Sequence, residues 1–310
     1  MTRGMGQSIE LEAAAISGRE APRFRSLALP RGRNRRSGIP ALRTTTVRGL
    51  AAKLVEPRRE QILRFCAQDP VERVFLEDVA RRGLGRFVGL VDGGADLRAL
   101  CHLGVNVVPS GDGCGAFARE TSRAAPRMLI GEASAVTDLW EACRERLPGP
   151  REDRPGQPVF VIREPPPPGD TGLRPATLDD LELLMPACAA AHEQELGLDP
   201  LRRDADGFRW RTRSQIEEDR SWLWEEDGVI LFKAEASAWT PEAVQLQQVW
   251  VDPEVRRHGY GARGLSDLCR QLLESVPAVC LFVRSENAPA IRLYQAIGME
   301  HVLDYRSLLF

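Results

Sequence analysis

The stretch Val249-Trp-Val-Asp-Pro-Glu-Val-Arg-Arg-His-Gly-Tyr-Gly-Ala262 makes two structural statements at once. Val244 to Val251 is rich in β-branched and aromatic residues and reads as a buried strand. From Gly261 to Ser275 the apolar residues recur at helical spacing. Between them, Arg256-x-x-Gly259-x-Gly261 is a glycine-bearing turn delivered to a helix N-terminus. Glycine accepts positive φ and lets a backbone approach a ligand closely. The N–H groups of such a turn, with the positive end of the helix dipole, make a cradle for a pyrophosphate. Arg256 and Arg257 can add charge-assisted bonds, and His258 reads as a loop residue near the phosphates. Taken alone, the same glycine pair also fits a plain tight turn before a helix.

A second segment stands downstream, Ser285-Glu-Asn-Ala-Pro-Ala-Ile-Arg-Leu-Tyr-Gln-Ala-Ile-Gly-Met299. Asn287 lies where a strand (Ala278 to Val283) hands over to a helix (Ala288 to Ile297). Tyr294 lies two turns in, and Gly298 is a helix stop. In register, the two segments resemble the GNAT superfamily of acetyl-coenzyme A dependent N-acetyltransferases. Arg256, Gly259 and Gly261 meet its [Gln/Arg]-x-x-Gly-x-[Gly/Ala] loop. Asn287, Ala290, Leu293, Tyr294, Gly298 and Met299 meet its later Asn…Ala…Leu-Tyr…Gly-[Phe/Met] segment. The resemblance covers roughly Gly172 to Phe310.

The resemblance implies a splayed pair of parallel strands with the pantetheine arm between them, bonded to the backbone near Val249 and Val251. It implies a pyrophosphate seated on Arg256, Arg257, His258, Gly259, Gly261 and Ala262, with Asn287 on the cofactor arm. Tyr294 matches the position that protonates the departing thiolate in many family members; its spacing also fits a core aromatic. The implied activity is acetyl transfer from acetyl-coenzyme A to a primary amine, of a small molecule or a protein, by direct attack in a ternary complex. The alternative is a non-catalytic acyl-coenzyme A binding or sensing protein.

Such chemistry needs a general base, because an alkylamine is protonated at neutral pH. The central strand carries Gln245, Gln247 and Gln248 and no carboxylate. Glu235, on the preceding strand in Phe-Lys-Ala-Glu-Ala, is the best substitute. An acid among apolar neighbours is costly to ionise, which predicts a raised pKa. The competing expectation is that Glu235 pairs with Lys233 or an arginine.

Working outward, the pattern after Leu173 runs strand, two helices, three strands, helix, strand, helix, strand. Before it, residues from Glu56 to Ile162 show two helices, three strands, helix, strand, helix and strand. The expected fold class is α/β (α+β): two tandem GNAT-like domains, each a mixed, mostly antiparallel sheet flanked by helices. Residues 47–163 form the first domain, 164–171 a Pro-rich linker built on Pro165 to Pro168, and 172–310 the catalytic domain. Where the first domain would place its own phosphate loop stands Pro109-Ser-Gly-Asp-Gly-Cys-Gly115, with no arginine and with Asp112 facing any anion. That domain reads as degenerate, shaping the substrate cleft and covering one edge of the catalytic sheet. Residues 1–46, with Arg31 to Arg36 as their basic core, read as a disordered extension.

Composition narrows the function classes. The 310 residues are 43% hydrophobic and 28% charged, with mean hydropathy -0.28, which is ordinary globular chemistry. No apolar run approaches the roughly 18 to 20 residues that span a bilayer, so no membrane partner is expected. The net charge of -2 gives no pull toward nucleic acid. Lys53 and Lys233 are the only lysines, an arginine bias read as that of a GC-rich bacterial genome. Seven scattered cysteines without a C-x-x-C pair argue against a zinc site or a disulfide framework and for a reducing cytoplasm. No metal is expected, and both a monomer and a homodimer remain open.

Overall fold

The computed structural model describes residues 52–310, so the expected extension over residues 1–46 lies outside the described residues. The first half runs β1 (Lys53–Val55), α1 (Arg59–Cys66), α2 (Val74–Arg81), β2 (Arg86–Val91), β3 (Ala99–Leu103), β4 (Asn106–Gly111), α3 (Ala118–Ala124), β5 (Met128–Glu132), α4 (Ala133–Cys143) and β6 (Glu152–Ile162). The second runs β7 (Arg174–Pro175), α5 (Leu181–Leu196), α6 (Pro200–Glu217), β8 (Ser221–Glu226), β9 (Val229–Trp239), β10 (Val244–Val251), α7 (Tyr260–Leu273), β11 (Val279–Phe282), α8 (Ala288–Ala296) and β12 (Glu300–Leu309). Each half therefore repeats one order: strand, two helices, three strands, helix, strand, helix, strand. The mixed, mostly antiparallel architecture is as expected, with parallel neighbours only at β4–β5 and β10–β11 among the described strands.

Local chemistry explains the boundaries. Thr177 and Asp180 form a capping box ahead of α5, and the Thr177 N–H donates to Asp180 Oδ2 at 2.7 Å. Asp227 and Gly228 take φ of 50° and 79°, the two left-handed positions of a tight hairpin turn between β8 and β9.

The two halves are not separate sheets. One twelve-stranded sheet runs β1-β2-β3-β4-β5-β12-β6-β11-β10-β9-β8-β7. The final strand of each half has crossed to the other: β12 pairs with β5, and β6 pairs with β11. β6 and β12 then pair with each other at the centre of the sheet. Val159, Phe160, Val161 and Ile162 of β6 are all buried there. The sequence reading confines β6 to these four residues, because Pro155, Gly156 and Pro158 disfavour a strand interior. The strand extends further because Pro155 and Gly156 face Arg306 alone, at a register shift between Tyr305 and Ser307. A bulge absorbs residues that cannot join a regular ladder.

Other contacts tie the halves together. One apolar core joins Val74 and Val79 of α2 to Ala238, Ala243 and Cys280 of the second half. At its edge Asp78 and Arg220 make a buried bidentate pair, at 2.8 and 3.2 Å. The Pro-rich connector is also docked. The N–H groups of Gly169 and Thr171 donate to the Asp267 carboxylate on α7, and Arg263 donates to the Gly169 and Asp170 carbonyls.

Candidate active site

β10 and β11 start as a parallel pair, Val244 beside Val279 and Gln245 beside Cys280, and then diverge. On its other side β10 slips against β9 by one residue between Gln247 and Trp250. Gln248, within the slip, takes φ of 53°, a left-handed conformation rare for a non-glycine residue. The bulge frees backbone groups of β10 from the β9 ladder where the strands part. A cleft of about 250 Å³ opens at that point, with Gln247, Gln248 and Val249 on one wall and Phe282 and Val283 on the other. Asn287 and Tyr294 also line it.

The turn expected to hold phosphate leads from β10 into α7. Gly259 caps the helix with φ of 86° and has open space around its α-carbon, so conformation alone calls for glycine there. At Gly261 the reason is packing: a Cβ would lie 2.8 Å from Leu293 Cδ1 and 3.2 Å from Val251 Cγ2. The N–H groups of the first turn of α7 lack intrahelical acceptors, as at any helix start. Arg257 takes φ of 69° and is exposed, as is His258, whose Nδ1 lies 3.2 Å from the Val255 carbonyl. Arg256 turns away from the helix N-terminus. Its Nε donates to the Val251 carbonyl at 3.1 Å and its Nη2 to Gln194 Oε1 at 2.9 Å.

Asn287 caps α8, its Oδ1 accepting from the Ala290 N–H at 3.3 Å. Tyr294 is buried beneath the cleft with its ring 5.7 Å from that of Phe160. Burial, with a smaller contribution from Glu195, pushes its phenol pKa up. The group is held protonated, as a proton donor must be.

Glu235 lies behind the cleft wall, and the sequence-based expectation of a raised pKa is corrected here. Its carboxylate accepts from Lys233 Nζ at 2.6 Å, Arg211 Nη2 at 3.1 Å and Gln247 Nε2 at 3.4 Å. Burial alone would raise the pKa, but the charges of Lys233 and Arg211 outweigh it and hold it down at about 2. Of the two expectations for this residue, the ion pair is the one the geometry realises. Arg211 and Gln247 lie between Glu235 and the cleft, lining it on their other side.

Sequence reasoning missed Glu195 and the bulge at Gln248. Glu195 sits in the last turn of α5 and lines the cleft, where Gln248 Nε2 donates to its Oε2 at 2.6 Å. The protein around its carboxyl raises its pKa, against the pull of Arg154, Arg211 and Arg284. No glycine marks position 248, and Glu195 resembles any polar residue at a helix end.

Among the described residues the first half shows no equivalent cradle. The turn after β4 is occupied by the chain's own Arg98, whose Nε donates to the Asp112 carbonyl at 3.1 Å. A Cβ on Gly113 would lie 2.4 Å from Arg98 Nη2. Beside it Ser110 donates to Glu72 Oε2 at 2.8 Å. Among the described residues no cluster of His, Cys, Asp and Glu could hold a metal, and no helix is long and apolar enough to cross a membrane.

Two family models match the chain. Residues 85–184 match a domain of unknown function (DUF4081), and residues 185–299 match the acetyltransferase (GNAT) family. No curated protein matches significantly. Among solved structures, an acetyltransferase from the GNAT family of Colwellia psychrerythraea is similar with TM-score 0.54 at 11% identity, over 84% of this chain and 99% of that one. A GCN5-related N-acetyltransferase from Sphaerobacter thermophilus gives TM-score 0.52 at 18% identity, over 83% and 94%. At such identities the likeness is one of fold.

Proposed function

The C-terminal half of this chain is a GNAT acetyltransferase-family domain, and from that premise we propose that the protein is an acetyl-coenzyme A dependent N-acetyltransferase. The observation that carries the reading is a coincidence of three features in one cleft. The parallel strands β10 and β11 part, β10 bulges at Gln248 where they part, and the Gly259 turn opens α7 directly after β10. The arm of the coenzyme lies between the strands, along Val249 and Val251. Its pyrophosphate sits on the backbone of residues 256–262, chiefly the Gly259, Gly261 and Ala262 end, with Arg257 and His258 at the exposed rim. Asn287 borders the arm.

The acceptor is a primary amine of a small molecule or a protein. Its nitrogen attacks the thioester carbonyl, backbone N–H groups at the β10 bulge stabilise the oxyanion, and Tyr294 supplies the proton to the departing thiolate. Tyr294 lines the cleft in which that thiolate would form. Glu235, ionised and fully paired, serves by holding Arg211 and Gln247 in the wall rather than by taking a proton itself. That withdrawal favours one alternative, a non-catalytic acyl-coenzyme A sensor, which turnover measurements separate.

Isothermal titration of the whole chain with acetyl-coenzyme A tests the reading. Saturable binding is expected, and its loss in the Arg256→Glu/Gly259→Asp double variant. An intact protein that fails to bind acetyl-coenzyme A would overturn it.

A further inference from the structure

Where a base should stand, the sequence has only glutamines on β10 and a Glu235 locked in an ion pair. The end of α5 brings a different carboxylate to the same place. Glu195 accepts from Gln248 Nε2 at 2.6 Å, and Gln248 is the bulge residue itself. With its amide nitrogen committed to Glu195, Gln248 turns its Oε1 into a buried position where it has no hydrogen-bond partner in the protein. A carboxylate that lines the cleft and is held there by a neutral amide N–H matches an incoming ammonium group. Glu195 and Gln248 both lie in the cleft that holds Tyr294, and Glu195 is close enough to bear on the Tyr294 phenol.

The end of α5 is also held in place. Arg284 donates to the Glu195 carbonyl, and Arg154 reaches the same oxygen at 3.5 Å. Arg256 holds the neighbouring Gln194. The opposite wall comes from the exchanged sheet, with Met128 and Ile130 of β5, Gln157 of β6 and Ser307 of β12. The first half of the chain thus helps to build the acceptor side.

Resting on the acetyltransferase reading above, we propose that Glu195 takes the proton from the incoming acceptor, an aliphatic primary amine that arrives as its ammonium ion, with Gln248 Nε2 holding the carboxylate in place. The Glu195 carboxylate removes one proton from the ammonium. The free nitrogen pair forms the carbon–nitrogen bond, and the carbon–sulfur bond breaks with its electrons passing to sulfur. Tyr294 protonates the thiolate and recovers a proton from the acylated nitrogen, and Glu195 releases its own to solvent. Arg154, Arg211, Arg284 and Tyr294 face Glu195, and His192 lines the same cleft. Burial and Arg211 lower the His192 pKa to about 4, and the raised Tyr294 phenol stays neutral, so loss of the acidic limb in Glu195→Gln is what assigns that limb to Glu195.

The test uses the full chain, acetyl-coenzyme A, a panel of alkylamines (the amino acid amides, lysine and linear diamines), and hydroxylamine, which is already unprotonated at neutral pH. Wild-type protein should acetylate at least one alkylamine. Glu195→Gln should bind acetyl-coenzyme A as wild type does and lose about 100-fold or more in kcat with that amine, the scale of general-base catalysis. Its rate should no longer climb with pH along the acidic limb, and its rate with hydroxylamine should fall far less. Glu195→Asp should recover part of the alkylamine activity. Equal losses with both nucleophiles, an alkylamine rate within threefold of wild type, or a wild type that binds acetyl-coenzyme A yet acetylates nothing would each overturn the proposal. Failure to bind acetyl-coenzyme A would instead bring down the acetyltransferase reading, and this one with it.

Discussion

Replacing Arg220 by Met should expose how firmly the two halves of the chain are locked together. Arg220 enters β8 of the second half, and its guanidinium grips Asp78 of α2 in the first half through two bonds, 2.8 and 3.2 Å. The two side chains are 9% and 3% exposed, so water cannot replace either partner. Removing one member of a buried pair costs about 3–5 kcal/mol, because the other is left buried and charged. Arg82 Nη1, 3.6 Å from Asp78 Oδ2, remains and softens the loss. The expected destabilisation is therefore at the low end, about 3 kcal/mol. The Asp78→Asn/Arg220→Met double variant should be more stable than the sum of the single losses predicts, by roughly 0.5–3 kcal/mol of coupling.

Urea unfolding followed by tryptophan fluorescence and circular dichroism reads these quantities. Trp140 reports on the first half, and Trp210, Trp222, Trp224, Trp239 and Trp250 on the second. Because one sheet runs through both halves, tryptophan fluorescence and circular dichroism of the same protein should report one midpoint. Arg220→Met should lower that midpoint in both signals at unchanged slope. A change below 1 kcal/mol, or two halves that melt apart, would refute the reasoning.

Three further outcomes follow from single sites. Glu235→Gln should destabilise the protein by about 3–5 kcal/mol at neutral pH, since it leaves fully buried Lys233 without its carboxylate. The Glu235 pKa lies at about 2, below its ordinary 4.5, so its stabilisation is complete above pH 4.5 and is lost as pH falls toward 2, a dependence absent from the variant in an acid titration of stability. Gly264→Ala should lose about 1–3 kcal/mol in chemical denaturation, because the new Cβ would sit 2.6 Å from the buried Phe232 ring. Buried His102, held neutral with its pKa down at about 4, binds its proton more readily when unfolded, so stability should fall from pH 6.5 to 4. His102→Leu should flatten that slope in urea midpoints taken across the range.

What the sequence made legible was whatever a few consecutive residues decide. Gly259 needs a positive φ and Thr177 needs its Asp180, and both are settled within one turn of chain. The parting strands could be placed because Val244 to Val251 and Ala278 to Val283 are apolar enough to be central. Partnership was not legible in the same way. The unbroken apolar run from Val159 to Ile162 says that a strand is buried, not which strand lies beside it, so the exchange of β6 and β12 leaves no local mark. Glu235 shows the boundary between the two cases. Lys233 stands two residues earlier on the same face of the strand, so that pairing could be foreseen, whereas Arg211 arrives from α6 across the fold. Glu195 and Gln248 are 53 residues apart in sequence and meet only because α5 ends against the bulge. The degenerate loop of the first half was legible in its lack of arginine and its Asp112, but not in the Arg98 that fills it.

The central claim is that a repeated fold keeps one working coenzyme site, in its second half. Native mass spectrometry of the full chain titrated with acetyl-coenzyme A counts sites directly. The account predicts one coenzyme per chain, none in Gly259→Asp, and one still in Arg98→Ala, which unblocks the first-half turn and removes the Arg98–Asp92 pair. Two coenzymes per wild-type chain, or one that persists in Gly259→Asp, would contradict it.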